Sequence, residues 1–263
     1  LHPDQDNGLV LEDYPDDRHD AVDAWFRAFA ARLTAGMDAV GLPLCRGHVM
    51  ATNPLWRKSL SQWRGQLDYW LAHRNPAVLR WADIFFDFRG VWGEPGLAGA
   101  LRETVTDRLA GNVRFLRAMV RDDEDNDVAL GLFHRFVLER SDPATRGRVN
   151  LKLGATLPLT DSVRVLALRQ GIAETSTLAR IAGLLEAGVL DSDEADALSA
   201  GYAEISAMLL RQQLADWRAG RPLGNHVDPH ALTGRERDHL VAALKAIRGV
   251  LDLARMELTG FVL

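Results

Sequence analysis

Cysteine is almost missing from this sequence of 263 amino acids, in which Cys45 stands alone. A single cysteine excludes an internal disulfide framework and a cysteine-rich zinc site, and it fits a reducing cytoplasm. An excess of positive charge is missing too, because 31 Lys and Arg residues face 36 Asp and Glu residues, for a formal net charge of -5. This balance argues against a broad nucleic-acid-binding surface.

Long apolar runs are also missing. No run approaches the roughly 20 residues that a membrane-spanning helix needs, and no signal peptide is recognisable, so we expect a cytoplasmic protein without a membrane partner. The composition, 47% hydrophobic and 25% charged, is typical of a globular protein with a sizeable core. The length allows one large domain or two smaller ones.

Two acidic residues, Asp4 and Asp6, lie one residue apart just before the apolar run Leu9-Val10-Leu11. In a strand such residues point to the same face, about 7 Å apart along the chain. Two carboxylates placed in this way can converge on a hard divalent cation such as Mg²⁺. Taken alone, the pair is more often a turn with solvated acids, so its interpretation depends on the rest of the chain.

The first third of the chain has the apolar spacing of helices. Residues 17–40 predict an amphipathic helix that ends at Gly41, and Asn53 with Pro54 predicts the start of a second helix. The tryptophans of this second helix recur every seven positions, at Trp56, Trp63 and Trp70. That spacing predicts one helical face, and core packing explains it better than base stacking does. A face toward a partner subunit stays open as an alternative.

Residues 84–89 are rich in aromatic and β-branched side chains, with Phe86 and Phe88 on one face and Asp87 on the other, and this composition predicts a strand. Asp87 is an acid within this apolar segment, and a buried carboxylate costs free energy unless it is paired or binds a metal. The two interpretations of Asp87 are therefore a metal ligand, or an acid paired with Arg89 or Arg57.

From about residue 94 the sequence predicts helices almost throughout, with segments near 95–121, 126–140, 161–172, 175–188, 191–219 and 233–259. A part that bears strands, followed by a run of helices, indicates the α+β class. We expect one domain over residues 1–94 and a helical domain over residues 95–263.

Several motifs together resemble a known family. They are Asp4-Gln5-Asp6-Asn7, then the run from Cys45 to Trp56, then Ile84-Phe85-Phe86-Asp87-Phe88-Arg89, and finally Asn150-Leu151-Lys152 with the run from Arg164 to Leu168. In this order they resemble the DUF294 group of nucleotidyltransferases, relatives of the PII uridylyltransferases and glutamine synthetase adenylyltransferases. The resemblance covers essentially the whole chain.

The resemblance implies a polymerase-β-like nucleotidyltransferase domain followed by an all-helical bundle domain that binds substrate. It implies that Asp4, Asp6 and Asp87 hold two Mg²⁺ or Mn²⁺ ions, with Asp87 also assisting deprotonation of the attacking group as a catalytic residue. One ion then activates the attacking oxygen, and the other stabilises the leaving pyrophosphate. The family's Gly-Ser motif upstream of the acids has no counterpart here, so we expect that the N-terminal part of the first domain is missing from this chain.

Further residues are candidates for contacts with nucleotide or substrate. The resemblance suggests a phosphate or substrate contact for Lys152, and Asn53, Arg57 and His48 are weaker candidates. Each also has an ordinary explanation. Asn53 can act only as a helix cap, Arg57 and Lys58 can lie on a solvated helix face, and His48 can lie in an exposed loop without contacting a ligand.

The expected activity is the transfer of a nucleoside monophosphate from ATP or UTP to an acceptor hydroxyl, on a protein such as a signalling protein, with release of pyrophosphate. A homodimer is compatible with the sequence. One alternative is a regulatory nucleotide-binding module that keeps the acids and no longer turns over. Another is a helical scaffold for protein–protein interactions, in which Asp4, Asp6 and Asp87 would have no function.

Overall fold

The computed structural model describes residues 4–122 and 127–260 of the chain. Within these ranges the chain forms two compact units, which interleave along the sequence. The N-terminal unit comprises residues 4–73 and 89–105, and the C-terminal unit comprises residues 74–88, 106–122 and 127–260. A single domain boundary after residue 94 stays a prediction.

The described chain is mostly helical, with two small sheets. Its helices and strands in chain order are β1 Leu9–Leu11, α1 His19–Ala39, β2 Arg57–Ser59, α2 Leu60–Ala72, α3 Pro76–Phe85, α4 Pro95–Leu109, α5 Val113–Asp122, β3 Val149–Asn150, α6 Leu157–Arg169, α7 Thr177–Glu186, α8 Ser192–Arg218, β4 His226–Val227 and α9 Gly234–Thr259. None of the helices in the described ranges combines the length and the apolar character needed to cross a bilayer.

The N-terminal unit is organised around two parallel strands, in which Val10 of β1 is paired with Lys58 of β2. Helix α2 is joined to them by the indole N–H of Trp63, which donates to the carbonyl of Leu9 at 3.0 Å. Its tryptophan neighbours Trp56 and Trp70 are buried beside one another, with ring centroids 6.1 Å apart. The tryptophans therefore form the core of this unit, as predicted.

The predicted helix that starts at Asn53 is wrong in its extent. Asn53 caps only the short 3-10 turn Pro54–Trp56, and the chain then enters β2 before α2 begins at Leu60. Ser59 starts α2 with a capping box, in which the Oε1 of Gln62 accepts from the backbone N–H of Ser59 and the hydroxyl of Ser59 accepts from the N–H of Gln62. The pairing of residues 57–59 with β1, and the capping box at Ser59, outweigh the helical spacing of the apolar residues that precede Leu60. Trp56 thus lies outside the helix that carries the other two tryptophans.

The predicted strand at residues 84–89 is also wrong. Asn75 caps a helix with Pro76 in its first turn, and helix α3 runs through this segment as far as Phe85. Its buried residues Val78, Leu79, Ala82 and Phe85 follow helical spacing. The spacing of the aromatic residues fits a helix as well as a strand. The cap at Asn75 and Pro76, which precedes this segment, favours the helix.

Two predicted helices in the second part of the chain need correction. The helix predicted over residues 95–121 is divided at Gly111, where the backbone adopts a φ of +72°. The helix predicted over 126–140 does not form in the described residues from 127 onward, where only the 3-10 turn Leu132–His134 interrupts extended chain. Gly131 directly precedes this turn. The N–H of Val137 donates to the carbonyl of Ala129, as in a hairpin.

The C-terminal unit is a helical bundle with α6 at its centre. Between Pro158 and Leu168 nearly every residue of α6 is buried, because α5, α7 and α9 all pack against it. Helices α8 and α9 form the longest pair, and they approach closely where Gly201 faces Ala243. Most of the apolar side chains that the helical spacing predicts to face the core are buried in this bundle.

Gly154, in the π-helical turn Lys152–Thr156 before α6, lies directly against Ala129. Its carbonyl accepts from the N–H of Ala129 at 2.8 Å, and a Cβ at Gly154 would lie 3.1 Å from that same nitrogen. Only a residue without a side chain allows this approach.

We expect Gly154→Ala to lower the free energy of unfolding by about 1–3 kcal/mol, because the added methyl group overpacks the contact with Ala129. Chemical denaturation measures this loss. Gly249→Ala is the matched control, since Gly249 lies inside α9 with open space around it and should become more stable by about 0.5–1 kcal/mol. Equal effects of the two substitutions would contradict the close approach.

Candidate functional site

The segment that carries the two N-terminal acids is extended and held by the loop that follows α1. The N–H of Gln5 donates to the carbonyl of Pro43, and the N–H of Asn7 donates to the carbonyl of Val49, both at 3.0 Å. The side chain of Gln5 points inward, where its amide donates to the carbonyl of Thr34 in α1 at 3.0 Å. Its neighbours Asp4 and Asp6 are exposed.

The alternation of an extended chain places both carboxylates on one face. Gln5 and Asn7 point inward, and the Oδ1 of Asn7 accepts from the N–H of Ala51 at 2.9 Å. Asp4 and Asp6 therefore share the opposite face, which is open to solvent. This arrangement fits a Mg²⁺ site, because Mg²⁺ is usually bound through one or two carboxylates together with substrate phosphates.

The loop beside Asp6 contains two of the predicted contact residues. His48 is exposed and adopts a φ of +56°, and its carbonyl accepts from the side-chain amide of Asn53 at 3.2 Å. The Oδ1 of Asn53 accepts from the N–H of Leu55 at 2.9 Å, so its predicted role as a cap is confirmed for the 3-10 turn. Partial burial and a hydrogen bond to Asp6 raise the pKa of the Cys45 thiol.

Arg57 is buried, and its guanidinium group holds the backbone of this loop in place. Its Nη2 pairs with the carboxylate of Asp23 at 2.7 Å, and its Nη1 donates to the carbonyls of Ala51 at 2.5 Å and Thr52 at 3.2 Å. The side chain is only 2% exposed. Arg57 is therefore not on a solvated helix face, and its fixed contacts leave little access for a nucleotide.

Lys58 has a different environment from its neighbour Arg57. It is paired in register with Val10, so it belongs to the same face of the strands as the even-numbered residues Asp4 and Asp6. Its side chain is half-buried and forms no ion pair within the described residues. Burial, and then the charge of Arg57, lower the pKa of Lys58.

Asp87 belongs to the C-terminal unit, just after α3, and both of its oxygens are engaged by arginines. Arg164 of α6 pairs with its Oδ2 at 2.7 Å, and Arg180 of α7 pairs with its Oδ1 at 2.6 Å. Burial opposes its ionisation, but the hydrogen bonds and charges of these two arginines leave the pKa of Asp87 below its ordinary value. This geometry offers no support for a metal ligand, and the partners differ from Arg89 and Arg57.

Arg164 is the centre of this buried ion-pair network. Besides Asp87 it pairs with Asp161 at 2.9 Å and with Asp83 of α3. This network is not among the features predicted from the sequence, although one signal for it is present. Arg164 lies in the apolar run between Val163 and Val165, in a helix with hardly any polar face.

Lys152 is exposed at the start of the π-helical turn in the C-terminal unit, and no partner for its ammonium group occurs among the residues described. Residues 4–122 and 127–260 contain no group of three or more His, Cys, Asp and Glu side chains arranged to hold a metal ion. The pair Asp4 and Asp6 is thus the candidate that remains for a metal site, with further ligands to come from the substrate.

Comparison with protein-family models decides the family. The model described as "Putative nucleotidyltransferase DUF294" matches residues 1–77. The model described as "Putative nucleotidyltransferase substrate binding domain" matches residues 113–258, more than half of the chain. The chain belongs to the DUF294 family. The resemblance seen in the sequence motifs is thereby confirmed. Comparisons with curated proteins and with solved structures give no match for this DUF294 chain.

Asp161 allows a test of the ion-pair network through pH. Burial is the main cause that raises its pKa to about 6, above the ordinary 3.8, although Arg164 acts in the opposite direction. The native state therefore binds this proton more tightly than the unfolded state does. The stabilising contribution of Asp161 is complete below about pH 4 and is lost as the pH rises through about 6.

We expect Asp161→Asn to gain stability relative to the wild type when the pH rises from 4 to 7.5, by about 1–3 kcal/mol. Chemical denaturation of both proteins at the two pH values measures this difference, and other titrating groups cancel in it. Asp196→Asn, which removes an exposed carboxylate from α8, serves as the control. A constant or decreasing difference for Asp161→Asn would show that its pKa is not raised.

Proposed function

We propose that this DUF294 chain belongs to a nucleotidyltransferase that transfers a nucleoside monophosphate from ATP or UTP to an acceptor hydroxyl, with release of pyrophosphate. The observation that carries the proposal is the pair Asp4 and Asp6, two exposed carboxylates on one face of a braced, extended segment. Family membership supports the transfer reaction, and the exposure of both carboxylates supports its dependence on a divalent ion.

In this mechanism Asp4 and Asp6 would hold Mg²⁺ or Mn²⁺, whose positive charge would stabilise the phosphate oxygens and the attacking oxygen. Lys58 lies on the same face and is suited to contact a phosphate oxygen of the nucleotide. Asn53 and Arg57 have positioning roles, since they hold the loop that carries His48 against the extended segment.

The C-terminal unit is proposed to hold the acceptor. The family description of residues 113–258 as a substrate-binding domain supports this role, and so does the free ammonium group of Lys152. We propose a protein side chain as the acceptor, with its hydroxyl oxygen attacking the α-phosphate and the bond to pyrophosphate breaking.

A second function is a regulatory nucleotide-binding module without turnover. It is favoured by Asp87, the expected third acid, which is engaged by Arg164 and Arg180. A module of this kind binds nucleotide and metal through Asp4 and Asp6 and releases no pyrophosphate. Pyrophosphate release therefore separates the two functions.

Thermal unfolding with Mg²⁺ and each of ATP, UTP, GTP and CTP tests the site. We expect one nucleotide to raise the melting temperature of the wild type, because ligand at 100 times its Kd adds about 2.7 kcal/mol to the free energy of unfolding. The double variant Asp4→Asn/Asp6→Asn should lose this rise. Glu12→Gln, an exposed acid just after β1, should keep it. No rise with any nucleotide would contradict the site.

Lys58→Met should weaken binding of the same nucleotide about ten- to a hundredfold, since a hydrogen bond to a charged group contributes about 1.5–3 kcal/mol. Lys58→Arg should retain most of the affinity, because the positive charge and the donors remain. Calorimetric titration measures both. Full affinity in Lys58→Met would remove Lys58 from the phosphate site and leave Asp4 and Asp6 unaffected.

A further inference from the structure

Residues 131–140 of the C-terminal unit, here called the 131–140 loop, present large apolar side chains to solvent. Leu132 is 82% exposed and Phe133 is 90% exposed. Phe133 and His134 also have positive φ angles of +55° and +57° in succession. Bulky residues adopt this backbone conformation rarely and at a cost in free energy. The fold thus maintains a strained turn that displays an aromatic ring left uncovered by the part of the chain that the structure describes.

The loop has one paired and one unpaired backbone edge. On the paired edge the N–H of Val137 donates to the carbonyl of Ala129 at 3.1 Å, and the N–H of Glu139 donates to the carbonyl of Arg148 at 2.8 Å. Alternation turns the N–H groups of Phe136 and Leu138 to the opposite edge, where they have no acceptor among the described residues. Such an edge can pair with another extended chain.

The base of the loop is held firmly by its surroundings. The Nη2 of Arg248 in α9 donates to the carbonyls of Leu130 at 2.7 Å and Val128 at 3.2 Å. The guanidinium of Arg237 lies over the ring of Phe136, 5.1 Å from its centroid. The edge is therefore preorganised, which lowers the entropy cost of binding an extended partner.

The charge around the loop favours an acidic partner. A depression with a volume of about 650 Å³ has a largely apolar lining and is bordered by Arg135, Arg140 and Arg146. None of these three guanidinium groups has a carboxylate partner in the described ranges. The carboxylate of Glu139 is already engaged by Ser141 and by the backbone N–H of Arg140, and these hydrogen bonds lower its pKa to about 2.

We propose that the 131–140 loop binds an extended, acidic peptide segment by strand addition at the free edge of residues 135–139. The main chain of the peptide pairs with the N–H groups of Phe136 and Leu138. Its carboxylates reach the three arginines, and its apolar side chains contact Phe133 and the depression. This binding needs no nucleotide transfer, so either proposal can fail while the other stands.

The probe is a fluorescein-labelled peptide with alternating glutamate and valine or phenylalanine, Gly-Glu-Val-Glu-Phe-Glu-Val-Gly, titrated with the full chain by fluorescence anisotropy. We expect saturable binding and slowed hydrogen exchange at the amides of Phe136 and Leu138. A peptide with lysine in place of each glutamate should bind at least tenfold more weakly. The same loss is expected for a peptide methylated on alternate backbone nitrogens, because the methyl groups block hydrogen bonding along one edge of its strand. No binding of the acidic peptide up to 1 mM, or equal binding of all three, would overturn the proposal.

Variants of the chain locate the binding surface. Arg140→Glu/Arg146→Glu should weaken peptide binding at least tenfold, whereas Arg218→Glu, an exposed arginine of α8, should leave it unchanged. Phe133→Gly should also weaken binding while its melting temperature stays equal or rises, because glycine adopts a φ of +55° without strain. Full affinity in Phe133→Gly, or equal losses in the arginine variants and the control, would overturn the assignment.

A lipid surface is the competing occupant of an exposed aromatic turn with basic neighbours. Sedimentation with vesicles of phosphatidylcholine and phosphatidylserine at a ratio of 3:1 distinguishes the two. We expect the wild type to stay in the supernatant. Sedimentation that Phe133→Gly abolishes would make the loop a membrane contact and overturn the peptide proposal.

Discussion

The ion-pair network around Arg164 is the constraint on which the C-terminal unit depends. Helix α6 is buried along most of its length, yet it carries a guanidinium group that has to be compensated inside the bundle. Asp83 within α3 and Asp87 just after it, together with Asp161, supply that compensation. Removal of one partner from such a network typically costs about 3–5 kcal/mol, because an uncompensated charge is left behind. The network thus links α6 to Asp83 and Asp87 and, through Asp87, to Arg180 of α7.

The two units use acidic residues in opposite ways. In the C-terminal unit the carboxylate of Asp87 is engaged by Arg164 and Arg180, and its charge serves the fold. In the N-terminal unit the inward-facing amides of Gln5 and Asn7 brace the backbone, which leaves the carboxylates of Asp4 and Asp6 exposed to solvent, with Asp6 accepting a hydrogen bond from the thiol of Cys45. A rigid segment with exposed carboxylates is what a metal-dependent site needs. This contrast is the physical basis for the proposed nucleotide site.

Much of this fold could be predicted where local signals agree with one another. Helix α1 follows its amphipathic spacing, and α9 starts with a capping box at Thr233 where the spacing begins. The shared face of Asp4 and Asp6 followed from the period of a strand. The segment at 84–89 could not be resolved in this way, because its aromatic pattern suits both periods. The partner of Asp87 lies 77 residues away, at Arg164, and no local pattern indicates a contact over that distance.

We propose that Asp4 and Asp6 hold a metal–nucleotide complex. Amide NMR spectra of the full protein with Mn²⁺ and ATP or UTP test this proposal, because Mn²⁺ broadens the signals of nearby amides. We expect the broadening to centre on the amides of residues 5–8 and of the loop from Cys45 to Ala51, and to disappear in Asp4→Asn/Asp6→Asn. Sharp signals at residues 5–8, or broadening that centres elsewhere and persists in the variant, would contradict it.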